Sequence, residues 1–137
     1  MSFVLDNSVA LAWCFEDEQT PAIMALLDRM VATGAMAPLL WPLEALNGLL
    51  VAERRRRLEP AKRAELAGLL RALPITLDDE TAEKSWEATL RLAEHFTLSV
   101  YDATYLELAQ RRRLPLASMD RALRSAAVAL GVEVLLD

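Results

Sequence analysis

The sequence is poor in the residues that most often announce a function. A single cysteine, Cys14, excludes an intrachain disulfide and fits a reducing compartment. It sits between Trp13 and Phe15, where burial is the expected fate of a thiol. The one histidine, His95, lies near the end of an amphipathic helical pattern and reads as a packing or capping residue, not a general base. Four glycines, with 54% hydrophobic residues, exclude a disordered tail and favour a compact, helix-rich globule. The most apolar stretch, Ala35 to Ala52, carries Pro38, Pro42, Glu44, Asn47 and Gly48, a set that a membrane-spanning helix does not hold together. The first apolar run is broken by Asp6 before it reaches signal-peptide length. These features lead to the expectation of a soluble, cytoplasmic protein with no membrane contact. An excess of basic residues is also missing: the net charge of −5 argues against generic charge-driven binding of nucleic acid, although a local basic site is compatible with it. With no repeat, low-complexity linker or shift in composition, residues 1–137 are expected to form one domain.

What is present is an alternation of short apolar runs with longer helical patterns. Phe3-Val4-Leu5 reads as a buried strand. "AMAPLL" reads as a second strand, short or at an edge because of Pro38. "ITL", "LPLAS" and the closing "VEVLL" read as three more. Between them lie helices: Val9 to Cys14; a segment capped by Thr20 with Pro21 in first place and Gly34 at its end; one opened by Pro42; one opened by Glu59-Pro60; "DDETAEKSWEATLRLAEHF"; "SVYDATYLELAQRRR"; and "RALRSAAVAL", stopped by Gly131. This order predicts an α/β fold, a mainly parallel sheet covered by helices on both faces. In such folds the functional crevice lies outside the carboxyl ends of the strands.

Four acids fall in that zone or beside it: Asp6 after the first strand, Glu44 soon after the second, Asp120 after "LPLAS", and Asp102 in the first turn of the helix leading into "LPLAS". Each has a structural explanation of its own. Asp6 or Ser8 caps a helix, Glu44 complements a helix dipole, Ser99 and Asp102 form a capping-box pattern, and Asp120 caps the last helix. The set changes the weighing. If the first, second and "LPLAS" strands are neighbours, the carboxylates converge, and converging carboxylates do not all ionise without a cation. An all-oxygen donor set lacking His and Cys selects Mg²⁺ or Mn²⁺ and suits phosphate chemistry.

At this point the motifs "VLDNSVALAW", "PLEALNGL", "LSVYDATYLELA" and "LASMDRAL", in this order and within this length, resemble a PIN-domain ribonuclease of the VapC-like toxins of toxin–antitoxin pairs. The resemblance implies a three-layer α/β/α sandwich with a central, mainly parallel sheet, and hydrolysis of RNA phosphodiester bonds that depends on Mg²⁺, with Mn²⁺ as the alternative, leaving a 5′-phosphate and a 3′-hydroxyl. It implies that Asp6, Glu44, Asp102 and Asp120 are the catalytic, metal-binding cluster. Asp6 and Asp102 would be direct ligands, Asp120 a ligand or the group orienting a water, and Glu44 a ligand directly or through water. Ser8, Asn47 and Ser118 would support them. Ser118 stands where Thr is common, and it keeps the hydroxyl. An RNA substrate, a cognate antitoxin and a homodimer are the partners so implied. The alternative is a catalytically weak PIN-like binding or scaffold module. A receiver domain would want a Lys after a late strand, and a haloacid-dehalogenase-like phosphatase an Asp where Ser8 stands, so both fall behind.

The remaining features have plainer expectations. Arg54 to Arg57 and Arg111 to Arg113 end two helices and read as solvated faces, with phosphate contact as the functional alternative. Trp13, Trp41 and Trp86 read as core or interface residues. Asp78, Asp79 and Glu80 read as a solvated helix start, Glu16 to Glu18 as surface, and Ser8 as the cap of the first helix once Asp6 is given to a metal.

Overall fold

The computed structural model describes residues 2–136; Met1 and Asp137 lie outside the described residues. Along the chain run β1 (Val4–Leu5), α1 (Asn7–Ala12), a 3-10 turn (Glu16–Glu18), α2 (Pro21–Thr33), β2 (Ala35–Pro38), α3 (Trp41–Arg54), α4 (Pro60–Ala72) and β3 (Ile75–Asp78). Then α5 (Thr81–Lys84) continues through a π-helical turn (Ser85–Thr89) into α6 (Leu90–Phe96), followed by α7 (Val100–Arg112), β4 (Leu116–Ala117) and α8 (Arg121–Leu130). The sheet order is β3-β2-β1-β4, with every pairing parallel. The expected closing strand shrinks to one parallel bridge from Val134 to Leu116. β4 is only two residues long, so it offers a further strand almost nothing to pair with.

The central strand shows why the sheet is covered twice. Side chains alternate across a strand, and the alternation at β1 divides two cores. Phe3 and Leu5 pack with Val9, Met30, Leu49 and Leu66 from α1 to α4, whereas Val4 packs with Tyr105, Leu106, Leu116 and Leu123 from the α7–α8 side. All of these except Leu66, which is 6% exposed, are fully inaccessible to solvent. An apolar run with no polar alternation is what such a doubly covered strand needs. Pro38 did not force β2 to the edge. It is the last residue of the ladder, opposite Asp78, and β2 lies inside the sheet. The next amide, Leu39 N–H, leaves the ladder and donates to Thr81 Oγ1 at 3.0 Å.

Helix ends follow local chemistry. Thr20 Oγ1 accepts from Ile23 N–H, with Pro21 in first place, and α2 stops at Gly34, whose φ of +74° suits a residue without Cβ. Gly48 serves a different purpose: a Cβ there would come within 2.6 Å of Leu11 Cδ1, so its absence lets α3 approach α1. α3 ends with Arg56 at φ +62°, its amide donating to Glu53 O, while the Arg57 amide donates to Ala52 O. This closure usually carries glycine at the left-handed position. Arg56→Gly should therefore stabilise the fold by about 0.5–1 kcal/mol, seen as a higher urea midpoint with an unchanged slope.

Arg57 turns back to bind Asp17 and Glu18, and its guanidinium lies 4.1 Å from the Phe15 ring centroid. Cys14 is half-buried, and burial, assisted by the charge of Glu18, pushes its thiol up to about 11, so it stays protonated and unreactive at neutral pH. Trp13 and Trp41 pack inward, but Trp86 is 82% exposed and belongs to no core.

Candidate functional site

Parallel pairing puts the carboxyl ends of all four strands along one edge. Asp6 follows β1 directly, Asp120 follows the turn after β4, and Glu44 sits in the first turn of α3 after β2. Asp6 N–H donates to Ala117 O at 3.0 Å, which ties the β1 exit to the β4 exit. Asp102 enters from the first turn of α7, whose N-cap, Ser99, accepts the Asp102 amide. The neighbouring of β2, β1 and β4, on which the expected convergence depended, is therefore present.

Two hydroxyls lock the first acid. Ser8 Oγ donates to Asp6 Oδ2 at 2.6 Å and accepts from Met119 N–H at 3.0 Å. Ser118 Oγ donates to the same oxygen at 2.8 Å and accepts from Asp120 N–H at 3.0 Å. Each serine thus joins Asp6 to the loop that carries Asp120. Ser8 is not the cap of α1: the helix already starts at Asn7, and Ser8 bonds across to the β4–α8 loop instead. Asp120 does cap α8, with Oδ1 accepting from Leu123 N–H at 2.8 Å. Its Oδ2 accepts no hydrogen bond from the described residues, so capping leaves one oxygen available. Glu44 is similar: Oε1 accepts from the buried Tyr105 hydroxyl at 2.6 Å, and no such bond reaches Oε2. Tyr105 is a member of the site that the four acids do not announce. The signal was its position, three residues after Asp102 and hence on the same helix face. Asn47 is exposed and makes no hydrogen bond to any of the four acids.

The electrostatics link the four carboxylates. Burial raises the pKa of Asp6, against the pull of the Ser8 and Ser118 hydroxyls and nearby amides. Burial also raises Glu44; the Tyr105 hydrogen bond opposes this and the charges of Asp6 and Asp102 add to it. Asp102 is raised by burial and then by the charges of Asp6 and Asp120. The Tyr105 phenol is held protonated by burial and by its bond to Glu44. Among the described residues, no Lys or Arg forms an ion pair with any of the four acids. The arrangement is open: no three of them bring carboxylate oxygens all within 4.8 Å of one another. That spacing leaves room for a hydrated ion, and carboxylates holding an ion partly through water are the usual mode for Mg²⁺.

The tighter acidic group is Asp78, Asp79 and Glu80, whose ligand oxygens do lie within 4.8 Å of one another. A cation already serves it. Arg111 grips Asp78 with two nitrogens, at 2.6 and 3.2 Å, and reaches Glu80 at 3.0 Å and Glu107 at 2.9 Å. Burial alone would raise Asp78, but Arg111, the Glu80 amide and Thr81 hold its carboxyl below the ordinary range. Glu107 and Asp78 in turn hold the guanidinium charged. The expected solvated helix start is thus half wrong: Asp78 is 1% exposed and anchors α7 to the end of β3, and Arg111 is spent on that anchor.

The opposed shifts give stability a pH signature. Acids held above their ordinary value contribute stability that is full below about pH 4 and is lost as pH rises through their folded values. This applies to Asp6, Glu44 and Asp102; Asp78, held low, works in the opposite sense. In chelator, Asp102→Asn should melt at a higher temperature than the wild type at pH 7, and the gap should close toward pH 4. A lower melting temperature for the variant at pH 7 would contradict the repulsion.

Residues 3–129 match the model of the PIN domain. The chain belongs to the PIN-domain family. No curated protein matches the chain at a significant level. Several solved structures share the fold. PAE2754 from Pyrobaculum aerophilum aligns at a TM-score of 0.70 and 21% identity, over 98% of this chain and 90% of that one. FitAcB from Neisseria gonorrhoeae aligns at 0.68 and 18%, over 98% and 96%. VapC20 of Mycobacterium tuberculosis, a sarcin-ricin loop cleaving toxin, aligns at 0.59 and 17%, over 90% and 94%. PIN domains are generally nucleases and typically use a divalent metal. In this one, Asp6, Glu44, Asp102 and Asp120 gather at the sheet edge without an ion pair to Lys or Arg among the described residues. No helix among the described residues is long and apolar enough to cross a membrane.

Proposed function

We propose that this PIN domain is a divalent-metal-dependent endoribonuclease and the toxin of a type II toxin–antitoxin pair. The observation that carries the reading is the contrast between the two acidic groups. Asp78 and Glu80 are neutralised by Arg111, whereas at the sheet edge burial raises Asp6, Glu44 and Asp102, the charges of neighbouring carboxylates add to the rise at Glu44 and Asp102, and no Lys or Arg among the described residues forms an ion pair with any of the four acids. Their all-oxygen chemistry fits Mg²⁺, or Mn²⁺ as the alternative. Bound there, the metal supplies a low-pKa water and charge stabilisation for phosphodiester hydrolysis.

The chain's own groups set the geometry. Asp6 and Asp102 hold the ion. The two serines fix Asp6 Oδ2 and so fix the direction of the carboxylate. Asp120 keeps Oδ2 for the ion or for the proton of the attacking water, and Glu44, held by Tyr105, binds directly or through water. No side-chain nucleophile is needed, and the substrate 2′-OH plays no part, so preference for RNA has to come from groups outside the acids.

The toxin role draws on solved neighbours of the same fold, among them FitAcB, a FitAB complex on DNA and a toxin–antitoxin complex from Klebsiella pneumoniae. A cognate antitoxin that covers the acids and a homodimer in the cytoplasm complete the reading. The test incubates the purified chain with a structured RNA and a single-stranded DNA, with Mg²⁺, Mn²⁺ or chelator. Cleavage of RNA that requires the metal is expected. RNA left intact under every condition would leave a PIN-fold binding module in its place.

A further inference from the structure

One of the four acids, Asp120, also lines a depression beside the site. Beyond Ser8 and Asp120 the surface sinks into a cleft of about 350 Å³ between α1 and α3, within the roughly 300–1,000 Å³ span of small-molecule sites. Leu11 and Val51 contribute to an apolar lining, and Arg55, Arg57 and Glu18 add charge to it. The two arginines differ. Arg57 is committed to Asp17, Glu18 and the Phe15 ring. Arg55 is exposed, and its side chain makes no ion pair or hydrogen bond with the described residues.

We propose that this cleft is a nucleotide subsite, which takes the base and the phosphate neighbouring the scissile bond and meets that phosphate with Arg55. The proposal rests on the nuclease reading and adds a place for the substrate beyond the acids. Because the cleft and the acidic group share Ser8 and Asp120, a strand whose phosphate lies at the acids brings its neighbouring nucleotide to the cleft mouth. An uncommitted cation there, in a chain of net charge −5, complements a phosphodiester. The apolar side chains suit the face of a base, which stacks without needing a hydrogen-bond partner. A peptide would set N–H and C=O groups against the same wall and leave them unpaired. Within the run Arg54 to Arg57, Arg57 thus serves the fold and Arg55 the substrate.

The test reads fluorescence anisotropy of a short unpaired RNA oligonucleotide in Mg²⁺, with the full chain carrying Asp102→Asn so that binding is seen without turnover. Arg55→Ala, added to that background, should weaken binding about tenfold and lower the slope of log affinity against log salt by about one. Val51→Phe, which fills the cleft, should weaken binding about as much and leave the slope unchanged. Arg54→Ala, outside the cleft, should bind as the parent does. Arg55 is exposed, so its variant tests the proposal even if Val51→Phe is poorly folded. Parental affinity in the Arg55 and Val51 variants overturns the subsite, including the case in which the cleft receives a protein. So does a parent that fails to bind the oligonucleotide. Failure of the nuclease reading looks different: the unmutated chain binds the same oligonucleotide and does not cut it.

Discussion

Asp6→Asn and Asp102→Asn should each cut metal-dependent RNA cleavage by about a thousandfold or more while leaving the fold intact. A bound metal supplies several kcal/mol of transition-state stabilisation, and about 4 kcal/mol corresponds to a thousandfold in rate. Asparagine keeps the size of the side chain and one acceptor oxygen, so the Ser8 and Ser118 hydroxyls still have a partner at position 6. What is lost is the charge. Removing it also relieves the mutual repulsion of the site, so the loss of activity should accompany unchanged or greater stability in chelator. That pairing separates a functional acid from a structural one. It is read by single-turnover cleavage and thermal melts on the same preparations; a variant that cleaves at the wild-type rate would remove its acid from the site.

Arg111→Met should have the converse profile, a large loss of stability. Arg111 is the cation for Asp78, which is 1% exposed, and it also binds Glu107, whose side chain is 7% exposed, and Glu80. Removing one partner of a buried ionic group strands the other charges, at a typical cost of about 3–5 kcal/mol. For a domain of this size that is a fall in melting temperature of roughly 10–20 °C. The loss should be largest at neutral pH and smaller toward pH 4, where Asp78 can take a proton. A fall of under about 1 kcal/mol in urea unfolding would mean that Arg111 is a surface pair of the ordinary kind.

These two groups show where the sequence was readable. Local rules placed the Thr20 cap, the Gly34 and Gly131 stops and the apolar run of β1, because each depends on neighbours within a few residues. Alternation of strands and helices points to a parallel sheet but leaves the strand order open; the convergence of Asp6, Glu44, Asp102 and Asp120 was conditional on the first, second and "LPLAS" strands being neighbours, which the topology supplies. What was missed is long-range. Nothing near Asp78 says that an arginine 33 residues later will bury with it, and an acidic triplet at a helix start has a ready local explanation. Pro38 suggested an edge because the rule concerns a missing donor, and a last ladder position satisfies it equally well. Ser8 reads locally as a helix cap and instead bonds across 111 residues to Met119. Tyr105 carried a usable helical spacing, yet its partner Glu44 lies 61 residues away.

The central claim is that the cation site is the open group at the sheet edge and not the tighter triplet at Asp78. Calorimetric titration of Mn²⁺ into the wild type, Asp6→Asn and Asp79→Asn tests it most directly, because it reads binding without any substrate. Asp79 belongs to the triplet but is exposed, and its replacement spares the Arg111 pairs. Mn²⁺ binding should be lost in Asp6→Asn and kept in Asp79→Asn if the sheet edge is the site. Binding that survives in Asp6→Asn and disappears in Asp79→Asn would contradict it.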